Sequence, residues 1–368
     1  MKIVFDLTSL YDHITGVERY GLEIAKSFIN QFDDHQYVLI FKNDINKEIR
    51  PLTGRDNVRT IILKGKKKGW FNQVTLLSCL KKVKADAYLF LSFPQPILFF
   101  TKKTYTAVHD MTPWEMGDTM KPLSRLYYKL SYLQAFLFSK RIITVSKFSA
   151  GRIRHIAHVP SKKITIIRDG VRRRDMSGYD VIKAKYQLPD KYILTLSTIE
   201  PRKNLSLLIE AYVKLLEEED VPDLVIAGRS GWLVENLLGA VSSKITDKIH
   251  FTGYIDEEDM GALYNHADFF VFPSKYEGFG IPPLEAMSFE TPVLSSDAAS
   301  LPEVLGRAAD YFISDSVSSL KKHMSNMAKL SDDERSLMIK RGIKRASLYN
   351  WDKEAAKLER KLYEDYCN

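Results

Sequence analysis

The chain has 368 residues, of which 45% are hydrophobic and 27% charged, which excludes wholesale disorder and, at this length, predicts two domains rather than one core. Its two cysteines, Cys79 and Cys367, exclude a disulfide framework and fit a reducing, cytoplasmic setting. The net charge of +8 is uneven: residues 1–170 hold 28 Lys+Arg against 14 Asp+Glu, and the remainder 26 against 32, so one half of the chain is suited to an anionic partner.

The opening MKIVFDLTSL alternates like a strand and then turns polar, which predicts no secretory leader. Short β-branched and aromatic runs follow: YVLIF (37–41), RTIIL (59–63), AYLFL (87–91), YTAVH (105–109), IITV (142–145) and ITIIR (164–168). Helical patterns at about 17–30, 70–84, 122–139 and 147–155 lie between several of them. The longest apolar run, 87–100, is broken by Pro94 and Pro96 and is too short to span a bilayer. After a polar, Arg-rich stretch (169–190) the rhythm restarts with YILTLS (192–197), DLVIAG (223–228), KIHFTG (248–253), DFFVFP (268–273) and PVLSS (292–296). Strands alternating with helices imply an α/β protein with parallel sheets. Two such series predict two Rossmann-like domains, with ligands at the carboxyl ends of the strands and a site in a cleft between the domains.

Two loops have the residue types for chemistry. In SKYEGFGIPPLEAMSFETPV (274–293), Glu277 and Glu285 flank Gly278, Gly280, Pro282 and Pro283. Glycines let a backbone approach a ligand, and Pro suits a first helical turn. A helix start also favours an anion, so a tight strand-to-helix connection with Glu285 as a helix-start residue is the competing reading. In STIEPRKNLSLLIEAY (197–212), Arg202 and Lys203 fall where a strand passes into a helix, a place for two phosphates or for a solvated basic turn. Neither a GxGxxG fingerprint nor a Walker pattern is present.

The segment PSKYEGFGIPPLEAMSFETPVLSSDAASLPEVLGRAA closely resembles the donor-site motif of retaining glycosyltransferase family 4, with its two glutamates separated by seven residues. TGVERYGLEIAKSF, VHDMTPWE, ITVSKFSAGRI, IIRDGV, STIEPRKNL, LVIAGRSGW and HFTGYIDEEDMGALYNHADFFVFPS match the same family in order, so the resemblance covers nearly the whole chain. It is strongest to the mannosyltransferase-like branch that builds bacterial surface polysaccharides. The resemblance implies the GT-B fold: an N-terminal acceptor domain over 1–170, rejoined by a C-terminal helix at 350–368, and a donor domain over 171–349.

The resemblance also implies roles. Glu285 would hold the donor's ribose hydroxyls, Glu277 the transferred sugar's hydroxyls, and the N–H groups of Phe279, Gly280 and Ile281 the sugar and diphosphate. Arg202 and Lys203 would neutralise the diphosphate leaving group; where many relatives have Gly-Arg at the strand end, this chain has Ser197-Thr198, so Arg202 would take over that work. His109 matches a cleft histidine near the donor sugar, and the neighbouring Asp110 would orient its loop. Gly16 matches a glycine loop facing the diphosphate, and Gly253 and Tyr254 match the loop at the nucleobase. Phe289 and Glu290 stand where relatives have a small residue and Gly.

No cofactor and no metal are expected, and the acidic run 256–259 should open a helix. The leading expectation is a retaining transfer of a hexose from a nucleotide diphosphate sugar, GDP-mannose as first guess, to a glycan or polyprenyl-diphosphate-linked acceptor in O-antigen or capsule synthesis. The alternatives are a GT-B epimerase or phosphorylase, or an inactive scaffold. Two basic segments with aromatic flanks, 65–88 with Lys66, Lys67, Lys68, Trp70 and Phe71, and 121–141 with Tyr127, Tyr128 and Tyr132, suggest peripheral attachment to an anionic membrane, an ordinary core helix with a basic face being the alternative. No nucleic-acid motif accompanies them, so no nucleic-acid partner is expected. The C-terminal stretch 349–366 reads as an amphipathic helix that returns to the first domain.

Overall fold

The computed structural model describes residues 1–367 except 11–13, 15, 66–70, 174–175 and 229–245. The chain divides into two compact units, Met1–Gly170 with Asn350–Asn368, and Val171–Tyr349.

The first unit is a parallel sheet of β1 (Lys2–Asp6), β2 (Gln36–Lys42), β3 (Val58–Leu63), β4 (Ala87–Phe90), β5 (Thr104–Ala107), β6 (Arg141–Thr144) and β7 (Ile164–Ile166), in spatial order β3-β2-β1-β4-β5-β6-β7. Helix α1 (Gly16–Gln31) follows β1, α2 (Pro122–Phe138) lies between β5 and β6, and α3 (Lys147–Ala157) follows β6. Ser146 caps α3 by accepting from the Ser149 N–H at 3.0 Å, which satisfies one of the helix's free donors.

The central strands β4 and β5 are buried along their whole length: all four residues of each are out of solvent. That is why β4, with the sequence AYLF, reads as a continuous apolar run rather than an alternating one. One core gathers Val4, Ile40, Leu80, Phe90 and Phe99. A second, under α2 and α3, gathers Val108, Ala135, Ile142 and Ile153.

Of the aromatic residues named for the two basic segments, Phe71 and Tyr132 are buried and Tyr127 and Tyr128 are half-buried. Tyr132 is buried in the core, and Tyr128 is half-buried with its ring 6.2 Å from that of Tyr132. Phe71, Leu76 and Leu77 are core residues too, while Lys66, Lys67, Lys68 and Trp70 lie outside the described residues. Burying a large apolar side chain is worth about 1.5–3 kcal/mol, so these rings serve packing.

The second unit repeats the plan. β8 (Tyr192–Leu196), β9 (Asp223–Ala227), β10 (Ile249–Gly253), β11 (Phe269–Phe272), β12 (Val293–Ser296) and β13 (Asp310–Phe312) run parallel in the order β10-β9-β8-β11-β12-β13. The short β13 has no counterpart among the expected strands. Helix α4 (Leu205–Leu216) follows β8 and buries Leu205, Leu208, Ile209 and Tyr212, the stripe its spacing predicts. Helix α5 (Ile281–Ser288) follows β11. Helices α6 (Val317–Ala328) and α7 (Asp332–Ala346) complete the unit, α7 opening on a capping box in which Ser331 and Glu334 satisfy each other's backbone N–H.

The chain then returns to the first unit as α8 (Trp351–Cys367). Trp351 sets its ring 5.8 Å from that of Tyr20 on α1, and Asp365 accepts from the Arg141 guanidinium at 2.5 and 2.6 Å. Among the described residues no helix is long and apolar enough to cross a membrane.

Candidate functional site

In an open parallel sheet, the strand order reverses where two neighbouring strands send their following segments to opposite sides, and a crevice opens at their carboxyl ends. In the second unit this happens between β8 and β11. Arg202 and Lys203 follow β8, and Glu277 and Gly280 follow β11. The topology thus brings together two segments more than seventy residues apart in sequence.

The centre of the site is a buried ion cluster. Glu277, only 8% exposed, accepts from Lys203 Nζ at 2.6 Å on Oε1 and from Arg202 at 2.9 Å on Oε2. Ser274 Oγ donates to Oε1 at 2.5 Å. Burial pushes the Glu277 carboxyl upward, but Arg202, Lys203 and the hydrogen bonds outweigh it and hold the group down to about 2. Glu277 is therefore an anion at any physiological pH.

Burial, and next the neighbouring Arg202 charge, lower the Lys203 ammonium from its usual range, with Glu277 opposing. The Arg202 guanidinium also donates to the Tyr276 carbonyl at 2.7 Å and to Glu200 at 2.7 Å. Glu200 is the more exposed partner, at 37%. Arg202 is thus shared between Glu277 and Glu200 while Lys203 pairs with Glu277, so the cluster sets two cations and two carboxylates at this sheet edge.

The loop carrying Glu277 is held rigidly. Ser300 Oγ lies 2.9 Å from the Glu277 carbonyl and 3.0 Å from the Phe279 carbonyl, and Ser296 Oγ donates to the Ser274 carbonyl at 2.6 Å. Gly280 has φ +101°, and a Cβ there would sit 2.6 Å from Leu301 Cδ2, so only glycine fits the turn into α5. The Phe279 ring packs edge-on to Tyr349 at 5.3 Å. The N–H groups of Phe279, Gly280 and Ile281 thus gather at the start of a helix, where the backbone dipoles favour negative charge.

Glu285, half-buried in the second turn of α5, accepts from Tyr264 Oη at 3.3 Å. The Tyr264 ring is fully buried and lies parallel to that of Phe289, 6.1 Å away. Gly228, after β9, approaches the end of β8 so closely that a Cβ would meet the Ser197 carbonyl at 1.9 Å. Its N–H donates to the Gly253 carbonyl at 2.8 Å. Gly253 has φ +71°, and Tyr254 beside it is half-buried.

In the first unit, His109 stands beyond β5 and α1 begins at Gly16, which is exposed. The His109 ring nitrogen Nε2 lies 2.8 Å from the Leu91 carbonyl. A carbonyl only accepts, so Nε2 carries the proton. Burial lowers the His109 pKa, which makes the ring neutral and leaves Nδ1 as an acceptor. The Tyr20 ring abuts it edge-on at 4.9 Å. Asp110 accepts from the Thr112 N–H at 2.8 Å, shaping its own loop.

The structure therefore brings Arg202, Lys203, Glu277, Phe279, Gly280, Ile281 and Glu285 to one sheet edge of the second unit. Gly253 and Tyr254 sit at the end of β10. His109 and Gly16 belong to the first unit. Sequence reasoning missed Ser274, Ser296, Ser300, Glu200 and Tyr264. Ser274 alone gave a signal, three residues before Glu277 in the same motif.

Residues 180–345 match the family model described as glycosyl transferases group 1. The chain is 29% identical over 382 aligned positions to the O-antigen chain mannosyltransferase B of Escherichia coli, covering 96% of this chain and 97% of that protein. It is 28% identical over 225 positions to the O-antigen chain mannosyltransferase RfbU of Salmonella typhimurium, covering 61% of each. Among solved structures, the sucrose-phosphate synthase of Thermosynechococcus elongatus superposes with a TM-score of 0.76 at 17% identity, over 100% of this chain and 99% of that one. The two Rossmann-like units are those of the GT-B fold. Residues 180–345 thus form a glycosyl transferases group 1 domain, and the chain is similar along nearly its whole length to an O-antigen mannosyltransferase, on a mannosyltransferase-like branch of glycosyltransferases.

Proposed function

We propose that the protein is a retaining hexosyltransferase that moves mannose from a nucleotide diphosphate sugar, GDP-mannose first, to a glycan or polyprenyl-diphosphate-linked acceptor in O-antigen or capsule synthesis. The observation that carries this reading is the Arg202–Glu277–Lys203 cluster at the β8/β11 reversal. As the bond between the sugar's anomeric carbon and the diphosphate breaks, negative charge grows on the leaving phosphate. Fixed cations stabilise that charge without having to reorganise. Arg202 forks onto the diphosphate, and Lys203 supplies a point charge.

Glu277, held ionised, accepts hydrogen bonds from the transferred sugar's hydroxyls, and Glu285 accepts from the ribose. The N–H groups of Phe279, Gly280 and Ile281 complete the cradle, Gly16 approaches the diphosphate, and Gly253 and Tyr254 meet the base. Neither glutamate acts as nucleophile. The acceptor oxygen attacks on the face the diphosphate leaves, and its proton passes to the departing phosphate oxygen, so one C–O bond forms as another breaks. His109 offers Nδ1 to a sugar hydroxyl. The enzyme works in the cytoplasm, at the inner face of the membrane that carries its acceptor.

The test is a thermal-shift and hydrolysis screen of GDP-, UDP- and dTDP-sugars, repeated with Glu277→Ala and Glu285→Ala. The reading requires GDP-mannose to stabilise the protein most. Glu277→Ala should abolish turnover with modest loss of nucleotide binding, and Glu285→Ala should weaken nucleotide binding. Near-normal turnover in both variants would refute the assignment. Turnover that needs free phosphate or no acceptor would favour a phosphorylase or epimerase.

A further inference from the structure

The solvent side of α2 is unusual for a helix exposed to water. Its inward face carries Ser131, Tyr132, Gln134, Ala135 and Phe136. On the opposite face stand Leu123, Leu126, Leu130, Leu133 and Leu137, all exposed, Leu123 by 81% and Leu137 by 71%. Their spacing of three and four residues aligns them in one stripe, about 21 Å long at 1.5 Å per residue. The stripe continues past the end of the helix: the Phe138 ring meets that of Phe100 edge-on at 4.9 Å, and Phe100 and Leu98 are both more than half exposed. A contiguous apolar surface of this kind marks an interaction site.

We propose that this face, the leucine stripe of α2 with Phe138, Phe100 and Leu98, seats the enzyme in the interface of an anionic bilayer. The inference deepens the membrane attachment of the proposed function by naming the surface that makes it. The charge around the stripe selects the occupant. Residues 94–104 and 121–141 contain no Asp or Glu, and the exposed Lys102, Lys103, Lys121 and Lys140 belong to the same two segments as the apolar face.

A helix with an apolar face and basic flanks sinks its leucines to the level of the acyl chains and keeps its cations among the headgroups. The same lysines disfavour a second copy of the chain, because a symmetric pairing would set lysines against lysines with no carboxylates from these segments between them. Lys163 donates to the Phe136 carbonyl at 2.6 Å and the Leu137 carbonyl at 3.1 Å. It closes the carboxyl end of α2 and keeps that backbone from facing the lipid unpaired. The surface differs from the one the sequence suggested, because Tyr132 is buried and Tyr127 and Tyr128 are half-buried, while the leucines stand exposed.

The test is flotation of the full chain with phosphatidylcholine vesicles, with and without about a third phosphatidylglycerol, which gives the surface the negative potential the lysines would answer. Wild type should float with the anionic vesicles at low salt and be released as salt is raised. Leu126→Glu/Leu133→Glu should lower the bound fraction at least about tenfold. Both positions are exposed, so unchanged thermal unfolding will show that the fold is intact. Lys102→Glu/Lys103→Glu should weaken binding less and flatten its salt dependence.

Failure of wild type to float at low salt, or equal binding by the double-leucine variant, would overturn the proposal. So would a wild-type dimer in sedimentation that Leu126→Glu/Leu133→Glu converts to monomer, which would assign the face to a second copy. Nucleotide binding by calorimetry separates the two readings. A chain that floats but binds no nucleotide diphosphate leaves this inference standing and removes the proposed function. A chain that binds nucleotide but never floats does the reverse.

Discussion

The two units share a sheet plan, each reversing strand order once, at β1/β4 in one and β8/β11 in the other. Their buried carboxyls nevertheless behave in opposite ways. In the first unit, burial raises Asp6, at the end of β1, to about 6, although Thr8 donates to it through both its N–H and its hydroxyl. Asp169, 3% exposed, is raised to about 8 by burial. In the second unit Glu277 is just as enclosed and is held at about 2. The difference is the pair of cations. Hydrogen bonds from neutral donors do not recover the cost of burying a charge, whereas Arg202 and Lys203 at 2.9 and 2.6 Å do. One sheet edge thus pairs its buried carboxylate with fixed cations, whereas at the other His109 stands uncharged beside Tyr20, with the carboxylates of Asp110 and Glu18 near it.

The sharpest way to break this contrast is Glu277→Ala. It leaves Arg202 and Lys203 buried without their carboxylate, which costs about 3–5 kcal/mol of stability. Turnover should fall by about 10³, the scale of losing a group that acts on the transition state. Stability of the wild type should show the same group by pH. Its folded pKa is depressed, so its contribution is complete above the ordinary value of 4.5 and is lost as pH falls from there towards 2. Urea unfolding between pH 6 and 3 should show wild type losing this advantage over Glu277→Ala.

Asp169→Asn tests the other side of the comparison and should have the opposite sign. A raised carboxyl favours the folded state most below pH 3.8 and loses that contribution as pH rises through about 8. Removing the titration should stabilise the protein at pH 8 by roughly 2–4 kcal/mol and change little at pH 4. A variant less stable than wild type at pH 8 would show that the carboxyl is needed as an anion.

How far the sequence could be read follows the same physics. Strands buried on both faces, such as β4 and β11, announce themselves as apolar runs, and twelve strands in all were visible. The three residues of β13 carry too little pattern of their own and are placed by pairing with β12. The Glu277 motif was legible because its glycines and prolines are rare and locally informative. Ser274, Ser296 and Ser300, which fix its loop, come from a residue type found everywhere, and their roles exist only once β11 and β12 pair. Helix α2 misled for a different reason. It carries an aromatic stripe and a leucine stripe, both at helical spacing, and only the fold decides which of the two is buried.

Tyr264→Phe is a finer cut at the charged edge. It removes the hydroxyl that donates to Glu285 at 3.3 Å while keeping the ring that stacks on Phe289. Losing one hydrogen bond to a carboxylate should weaken nucleotide binding by about 1.5 kcal/mol, roughly tenfold in Kd by calorimetry, with the fold retained. An unchanged Kd would mean that Glu285 is oriented by its helix alone.

The smallest effect is expected at Glu290, beyond the end of α5, where the family resemblance calls for glycine. Glu290 has φ +69°, the left-handed conformation that closes many helices and costs a residue with a Cβ about 1 kcal/mol. The Thr291 N–H closes the turn onto the Ala286 carbonyl at 3.0 Å, which fixes that conformation. Against this stands the pair with Arg173 at 3.0 Å, but both side chains are about half exposed, so it is worth well under 1 kcal/mol. Glu290→Gly should therefore stabilise by about 0.5 kcal/mol and raise Tm by about 1–2 °C. Nucleotide affinity should not change, since Glu285 lies more than a turn earlier in the helix. A lower Tm would show that the Arg173 pair outweighs the backbone cost.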